Sequence, residues 1–166
     1  MNNQERNSYV RNQLTEALIF LLKKMPLSDI SVSMLTREAK VGRVSFYRNY
    51  GKIEDILIQQ DRFLINQWAE KFVEDPNSSI NNVFGSLFQY YKDHADFYKL
   101  LVDNGLSDCM LTVIKERVGM SSNLPNKLAY KKAFFAYGLY GWLLEWMNKG
   151  MQEGADEIQA MLLDSI

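Results

Sequence analysis

Six side chains within "KVGRVSFYRNY" (40–50) could do chemistry on a nucleic acid. An arginine fork matches guanine O6 and N7, asparagine matches the adenine edge, and a small apolar group can touch a thymine methyl. Serine and tyrosine hydroxyls, and the N–H groups that open a helix, suit phosphate oxygens. Arg43, Val44, Ser45, Tyr47, Arg48 and Asn49 supply all of these groups in one short run. Taken alone, the same residues also suit the solvated end of a helical hairpin. No competing chemistry is visible elsewhere. His94 is the only histidine and Cys109 the only cysteine, so a zinc site is not expected. There is no phosphate-binding glycine loop and no nucleophile elbow. Glu116, Glu145 and Glu153 are separate helix-surface acids. Neither catalysis, a metal nor a cofactor is expected.

The elements that must position the six residues read as helices throughout. Val10, Leu14, Leu18, Leu21 and Met25 recur at spacings of three and four, one stripe of a 3.6-residue period, and Pro26 ends the run. "DISVSMLTREA" predicts a second, short helix with Ser31 or Ser33 as its N-cap and Val32, Leu35 and Ala39 facing inward. After the break at "VG", Phe46 and Tyr50 lie four apart on one face of "RVSFYRNY", and the polar residues lie on the others. Two short helices with a tight turn form a helix-turn-helix, whose second helix fits the major groove.

A long helix is predicted from about Lys52, with Glu54 and Asp55 where the helix dipole favours acids. Its core stripe is expected to be Ile53, Leu57, Leu64, Trp68 and Phe72. Further helices are expected to begin near Ile80, at 95–103, 107–118 and 127–149, and from about 155 to 165. No strand-like alternation of useful length occurs, so the fold class is all-α.

"ISVSMLTREAKVGRVSFYRNYGKIEDIL" (30–57) resembles the DNA-binding segment of TetR-type transcriptional regulators. Ile30, Ser31, Ala39, Val41, Arg43, Ser45, "FYRNY" (46–50) and the acidic pair before Ile56 and Leu57 carry the likeness. The resemblance implies a helix-turn-helix domain over 1–62, joined by a long helix to a helical effector-binding and dimerisation domain over 63–166. It implies that Ser31, Tyr47 and Asn49 hold phosphate or sugar, and that Arg43, Val44 and Ser45 read bases. Arg48 shares that face, Thr36 and Arg37 stand on the supporting helix toward the DNA backbone, and Phe46, Tyr50, Val41 and Ala39 form a small core. Two positions depart from the family pattern. Lys40 stands where glycine is usual, and Ile53 stands where a phosphate-gripping lysine is usual, with Lys52 beside it as the substitute.

Residues 63–166 hold 16 of the 21 aromatics. Core packing accounts for most of them. The resemblance also implies an apolar pocket for a small apolar or aromatic effector, with Trp68, Phe88, Tyr91, Phe134 and Tyr137 as its candidate lining. Between Ala133 and Met147 only Glu145 is charged, so this helix needs a second surface to bury it. Gly138 and Gly141 leave a notch where another helix can come close. With Trp142, Glu145 and Trp146, and with Ile158, Met161, Leu162 and Ile166 of the last helix, they predict a four-helix homodimer interface.

Charge is split modestly. Residues 1–62 carry ten basic and seven acidic side chains, and 63–166 carry nine and thirteen. The positive end faces polyanions. A single cysteine suits a reducing cytosol, and the polar N-terminus lacks the apolar run of a signal peptide. The longest apolar run, 133–147, is shorter than a membrane span and contains Glu145. The expectation is a cytoplasmic regulator, a dimeric repressor on palindromic double-stranded DNA. The competing expectation is a TetR-like helical adapter that acts through a protein partner, and the departures at Lys40 and Ile53 favour it.

Overall fold

The computed structural model describes residues 3–164. Among them are nine α-helices and one short 3₁₀ turn, with no strand. The helices are α1 (Asn3–Leu22), α2 (Val32–Glu38), α3 (Arg43–Asn49), α4 (Glu54–Glu74), α5 (Val83–Asp93), α6 (Ala95–Asp103), α7 (Asp108–Val118), α8 (Asn126–Asn148) and α9 (Ala155–Asp164).

Helix α1 packs on α2, α3 and α4, and α2 packs on α3. The predicted stripe explains why: Leu14 and Leu18 are fully buried, Val10 and Leu21 nearly so. Ser31 is the N-cap of α2, its hydroxyl oxygen accepting from Met34 N–H at 3.2 Å. Leu35, Ala39, Phe46, Ile56 and Leu57 complete the core at this end.

Four helices stop in the same way. After α6, α7 and α8 the chain turns left-handed at Gly105, Gly119 and Gly150. The N–H of each glycine and that of the next residue return to the last turn: Gly105 to Val102 O and Leu106 to Leu101 O, Gly119 to Glu116 O and Met120 to Lys115 O, Gly150 to Met147 O and Met151 to Trp146 O. Helix α2 uses the identical pattern, with Val41 N–H on Thr36 O at 3.0 Å and Lys40 N–H on Arg37 O at 3.2 Å. Its left-handed residue is Lys40, with φ 53°. Lysine therefore occupies the glycine conformation without changing the turn, at a strain of about 1–2 kcal/mol.

Helix α4 is the spine. It runs unbroken through residue 62 and packs on α1, α5 and α7. Asp55 closes its start, one carboxylate oxygen accepting from Gly51 N–H at 3.0 Å and Lys52 N–H at 2.9 Å. Ile53 precedes the helix and is only partly buried; the buried row is Ile56, Leu57, Asp61, Leu64 and Ile65. Helix α5 starts at Val83 rather than near Ile80, which is exposed. The cause is Asn82, whose side chain accepts from Ser79 N–H and donates to Asn77 O, holding a separate turn ahead of the helix.

Helices α5 and α9 pack over the longest contact in the body. Gln159 sits in that seam. Its amide oxygen accepts from Phe84 N–H at 2.7 Å and Gly85 N–H at 3.0 Å, and its nitrogen donates to Ile80 O at 3.0 Å. A Cβ at Gly85 would collide with the Ala155 carbonyl, so only glycine lets the two helices come this close.

Candidate nucleic-acid interface and effector cavity

Helix α3 is seven residues long and sorts its side chains sharply. Phe46 is fully buried and Tyr50, just beyond the helix, is buried beside it. Val44 is 72% exposed and Tyr47 57% exposed, with Arg43 and Arg48 also exposed and Ser45 half-buried. The Tyr47 ring stands edge-on to Phe46 at 5.1 Å, which sets its direction outward. Gly42 is the N-cap of the helix, which has no side-chain cap on its first N–H groups. Arg37 on α2 and Lys52 ahead of α4 are exposed as well.

Two expected contacts are placed differently. Thr36 is buried, and its hydroxyl donates to Val32 O at 2.8 Å, so it braces α2 from within and does not face outward. Asn49 has both ends of its amide engaged: the nitrogen donates to Ser45 O at 2.8 Å, and the oxygen accepts from Arg11 Nε at 3.2 Å. It ties α3 to α1. Arg11, on α1, is thereby brought beside the recognition face. Its place in the first helix stripe's polar flank gave no sign of this.

The body contains a cavity of about 190 Å³ between α4, α5, α7 and α8. Trp68 and Tyr91 line it. The other expected residues do not. Phe88 is fully buried against Trp146, with ring centres 5.0 Å apart. Phe134 is 78% exposed and Tyr137 50% exposed, the latter under Lys115 Nζ at 5.0 Å. On α8 the residues that reach the cavity are Phe135 and Leu139, four apart on the inner face. Ile65, Phe84, Val113 and Arg117 also line it; in a sequence the three apolar ones look like any core residue and Arg117 like any helix-surface cation. Trp68 is held by its indole N–H on Ser86 Oγ at 3.0 Å.

Beneath the cavity α4 is pinned to the body by polar groups. Arg62 forms a two-pronged pair with Glu116 of α7, both contacts 2.8 Å. Asp61 is fully buried and accepts from the Tyr98 hydroxyl of α6 at 2.8 Å. Its second oxygen has no hydrogen-bond partner among the described residues. Burial pushes this carboxyl up to about 7, against the downward pull of Tyr98 and Arg62, and Glu116 adds to the rise.

The interface residues also divide. Trp146, Ile158 and Leu162 are buried within the protomer and are core, and Trp142 is half-buried. Gly138, Gly141, Glu145 and Met161 are exposed. Ile166 lies outside the described residues. Phe134, Tyr137, Gly138 and Gly141 share one outward stripe of α8, and a Cβ added at either glycine meets nothing within 4 Å. Among the described residues no helix is long and apolar enough to cross a membrane, and no group of three His, Cys, Asp or Glu gathers to hold a metal.

A short helical hairpin, a spine helix and a cavity-bearing helical body make an all-α transcription regulator. The model of a TetR-type transcriptional regulator C-terminal region matches residues 78–166, more than half of the sequence, and the chain belongs to that family. No curated protein matches it. The crystal structure of Lin0861 from Listeria innocua is similar in fold, with a TM-score of 0.80 at 14% identity, over 99% of this chain and 93% of that one.

Proposed function

We propose that the protein is a sequence-specific DNA-binding repressor, working as a homodimer on a palindromic operator and released by a small apolar or aromatic effector. The observation that carries this reading is the sorting of α3: Phe46 and Tyr50 inward, Arg43, Val44, Tyr47 and Arg48 outward. An exposed valine between arginines has little reason to face water and good reason to face a thymine methyl. The left-handed Lys40 leaves the turn intact, so of the two departures that favour an adapter only Ile53 keeps its weight, with the exposed Lys52 beside it as the substitute. Dimerisation is supported by the uncovered stripe of α8. Two α3 helices about one DNA turn apart, or a multiple of it, would read two half-sites.

Release follows from α4. The helix walls the cavity with Ile65 and Trp68 and, about two to three turns earlier, packs Ile56 and Leu57 into the hairpin core. An effector that binds better to a shifted α4 would favour a spacing that no longer fits the operator. The test is selection from random duplex DNA, followed by affinity of the winner over a salt series. The expected result is an enriched palindrome whose log affinity falls steeply with log salt. Arg43→Ala should weaken it by about 1–3 kcal/mol and relax preference at one position. No enrichment, with partner binding insensitive to Arg43, would replace the repressor by the adapter.

A further inference from the structure

The cavity wall is apolar, and the rings of Trp68, Phe84, Tyr91 and Phe135 contribute to it. One charged side chain reaches it, Arg117, in the last turn of α7 and exposed at the mouth. Its guanidinium makes no hydrogen bond or ion pair with the described residues. The neighbourhood explains why it is left over. Glu116, the adjacent acid, is committed to Arg62 on the other side of α7. Lys115 lies over the Tyr137 ring, and Lys132 donates to Gly119 O at 2.8 Å. Arg117 is thus the charged side chain on the cavity wall, and the acid next to it in the chain is paired elsewhere.

Size narrows the occupant further. An engineered cavity of about 150 Å³ holds benzene, so a space of this size takes one ring or an equivalent short chain. We propose that the ligand of this cavity is a small monocarboxylate bearing one ring-sized apolar group, the group among Trp68, Phe84 and Phe135 and the carboxylate in the fork of Arg117. The proposal rests on the effector reading and adds its chemical class. Arginine pairs with a planar carboxylate through two parallel hydrogen bonds, which an amide or alcohol cannot match. A ligand ammonium would be repelled by the Arg117 guanidinium.

The test is calorimetric titration of the purified full-length protein with 3-phenylpropionate, 3-phenylpropanamide and 3-phenylpropylamine. The acid should bind about tenfold more tightly than the amide, and the amine more weakly than either. Arg117→Ala should erase the preference for acid over amide, and Arg117→Lys should restore part of it. Because Arg117 is exposed, its variants should melt as the wild type does. Equal binding of acid and amide, or a preference that survives Arg117→Ala, would overturn the carboxylate assignment and leave the cavity an effector site of another class. Binding of none of the three, or binding that persists when Val113→Trp fills the cavity, would overturn the cavity as the site and the proposal with it.

Discussion

The hairpin and the body use aromatic residues to opposite ends. Around α3 three aromatics take unambiguous roles: Phe46 and Tyr50 inward, Tyr47 outward. In the body the same residue types fill the core at Phe88, Tyr91 and Tyr98, wall a cavity at Trp68 and Phe135, and stand in solvent at Phe134 and Tyr137. The difference is one of surroundings. A seven-residue helix lying on a small core has one buried face, and the 3.6-residue period assigns it. Helix α8 is 23 residues long and apolar nearly all round, so its own pattern carries no phase. Only its neighbours decide which side is core.

That contrast explains what was legible. The all-α class, the cap at Ser31, the α3 faces and most helix bounds follow from spacing and punctuation. The roles of Trp146, Ile158 and Leu162 did not, because a residue that packs on its own protomer and one that packs on a partner have the same chemistry. The tie of Asn49 to α1 is illegible for a related reason: its amide finds protein partners, Arg11 and the Ser45 carbonyl, that only the folded chain brings near. Gln159 and Asp61 gave no signal at all, since polar residues on amphipathic helices are normally solvent-facing.

The largest effect expected in the body comes from Gln159. Gln159→Leu would strand the Phe84 and Gly85 N–H groups in the α5–α9 seam, and an unsatisfied buried donor costs about 1–3 kcal/mol. The loss should be about 2–4 kcal/mol by urea unfolding, with DNA affinity of the folded fraction unchanged. A loss below 1 kcal/mol would mean that water or a shifted seam satisfies both groups, and the body would then be as forgiving as the hairpin surface.

Asp61 offers a sharper cut, because its penalty can be switched by pH. Its carboxyl is faced by Tyr98, Tyr91, Arg62 and Glu116, and burial dominates. Below about pH 4 both the folded and unfolded chains hold the proton. As pH rises from about 4 to about 7 the unfolded chain releases it while the folded one keeps it, so stability falls, and above 7 the penalty is constant. Between pH 5 and pH 8 this amounts to about 2–3 kcal/mol at 1.36 kcal/mol per pH unit. Asp61→Asn keeps an acceptor for the Tyr98 hydroxyl and removes the titration. Its stability should gain on the wild type by that amount between the two pH values. A parallel pH dependence in variant and wild type would show that Asp61 is not the carboxyl responsible.

The outer stripe of α8 is tested by Gly141→Leu. Inside the protomer a Cβ at this exposed position meets nothing within 4 Å, so melting should hold within about 0.5 kcal/mol, helped by leucine's helix propensity. If a partner helix sits in the notch, dimer association should weaken by about 1–3 kcal/mol through overpacking, read by light scattering over a dilution series. An unchanged dimer would move the interface away from Gly138 and Gly141.

The smallest effect belongs to the hairpin, at Lys40. Three other helices in this chain end in the same left-handed turn with glycine, so those turns are an internal reference for what the position prefers. Lys40→Gly relieves strain of about 1–2 kcal/mol, but glycine also widens the unfolded ensemble, which takes back about 0.4–1 kcal/mol. The net gain in stability should be about 0.5–1 kcal/mol. Operator affinity separates two roles for the lysine. If Lys40 serves only the turn, affinity should be unchanged. If its exposed side chain also meets a phosphate, affinity should fall uniformly across operator sequences and the salt slope should shrink by about one. The second outcome would identify the strain at this turn as the cost of an added backbone contact, and would extend the DNA face of the hairpin back from α3 to the end of α2.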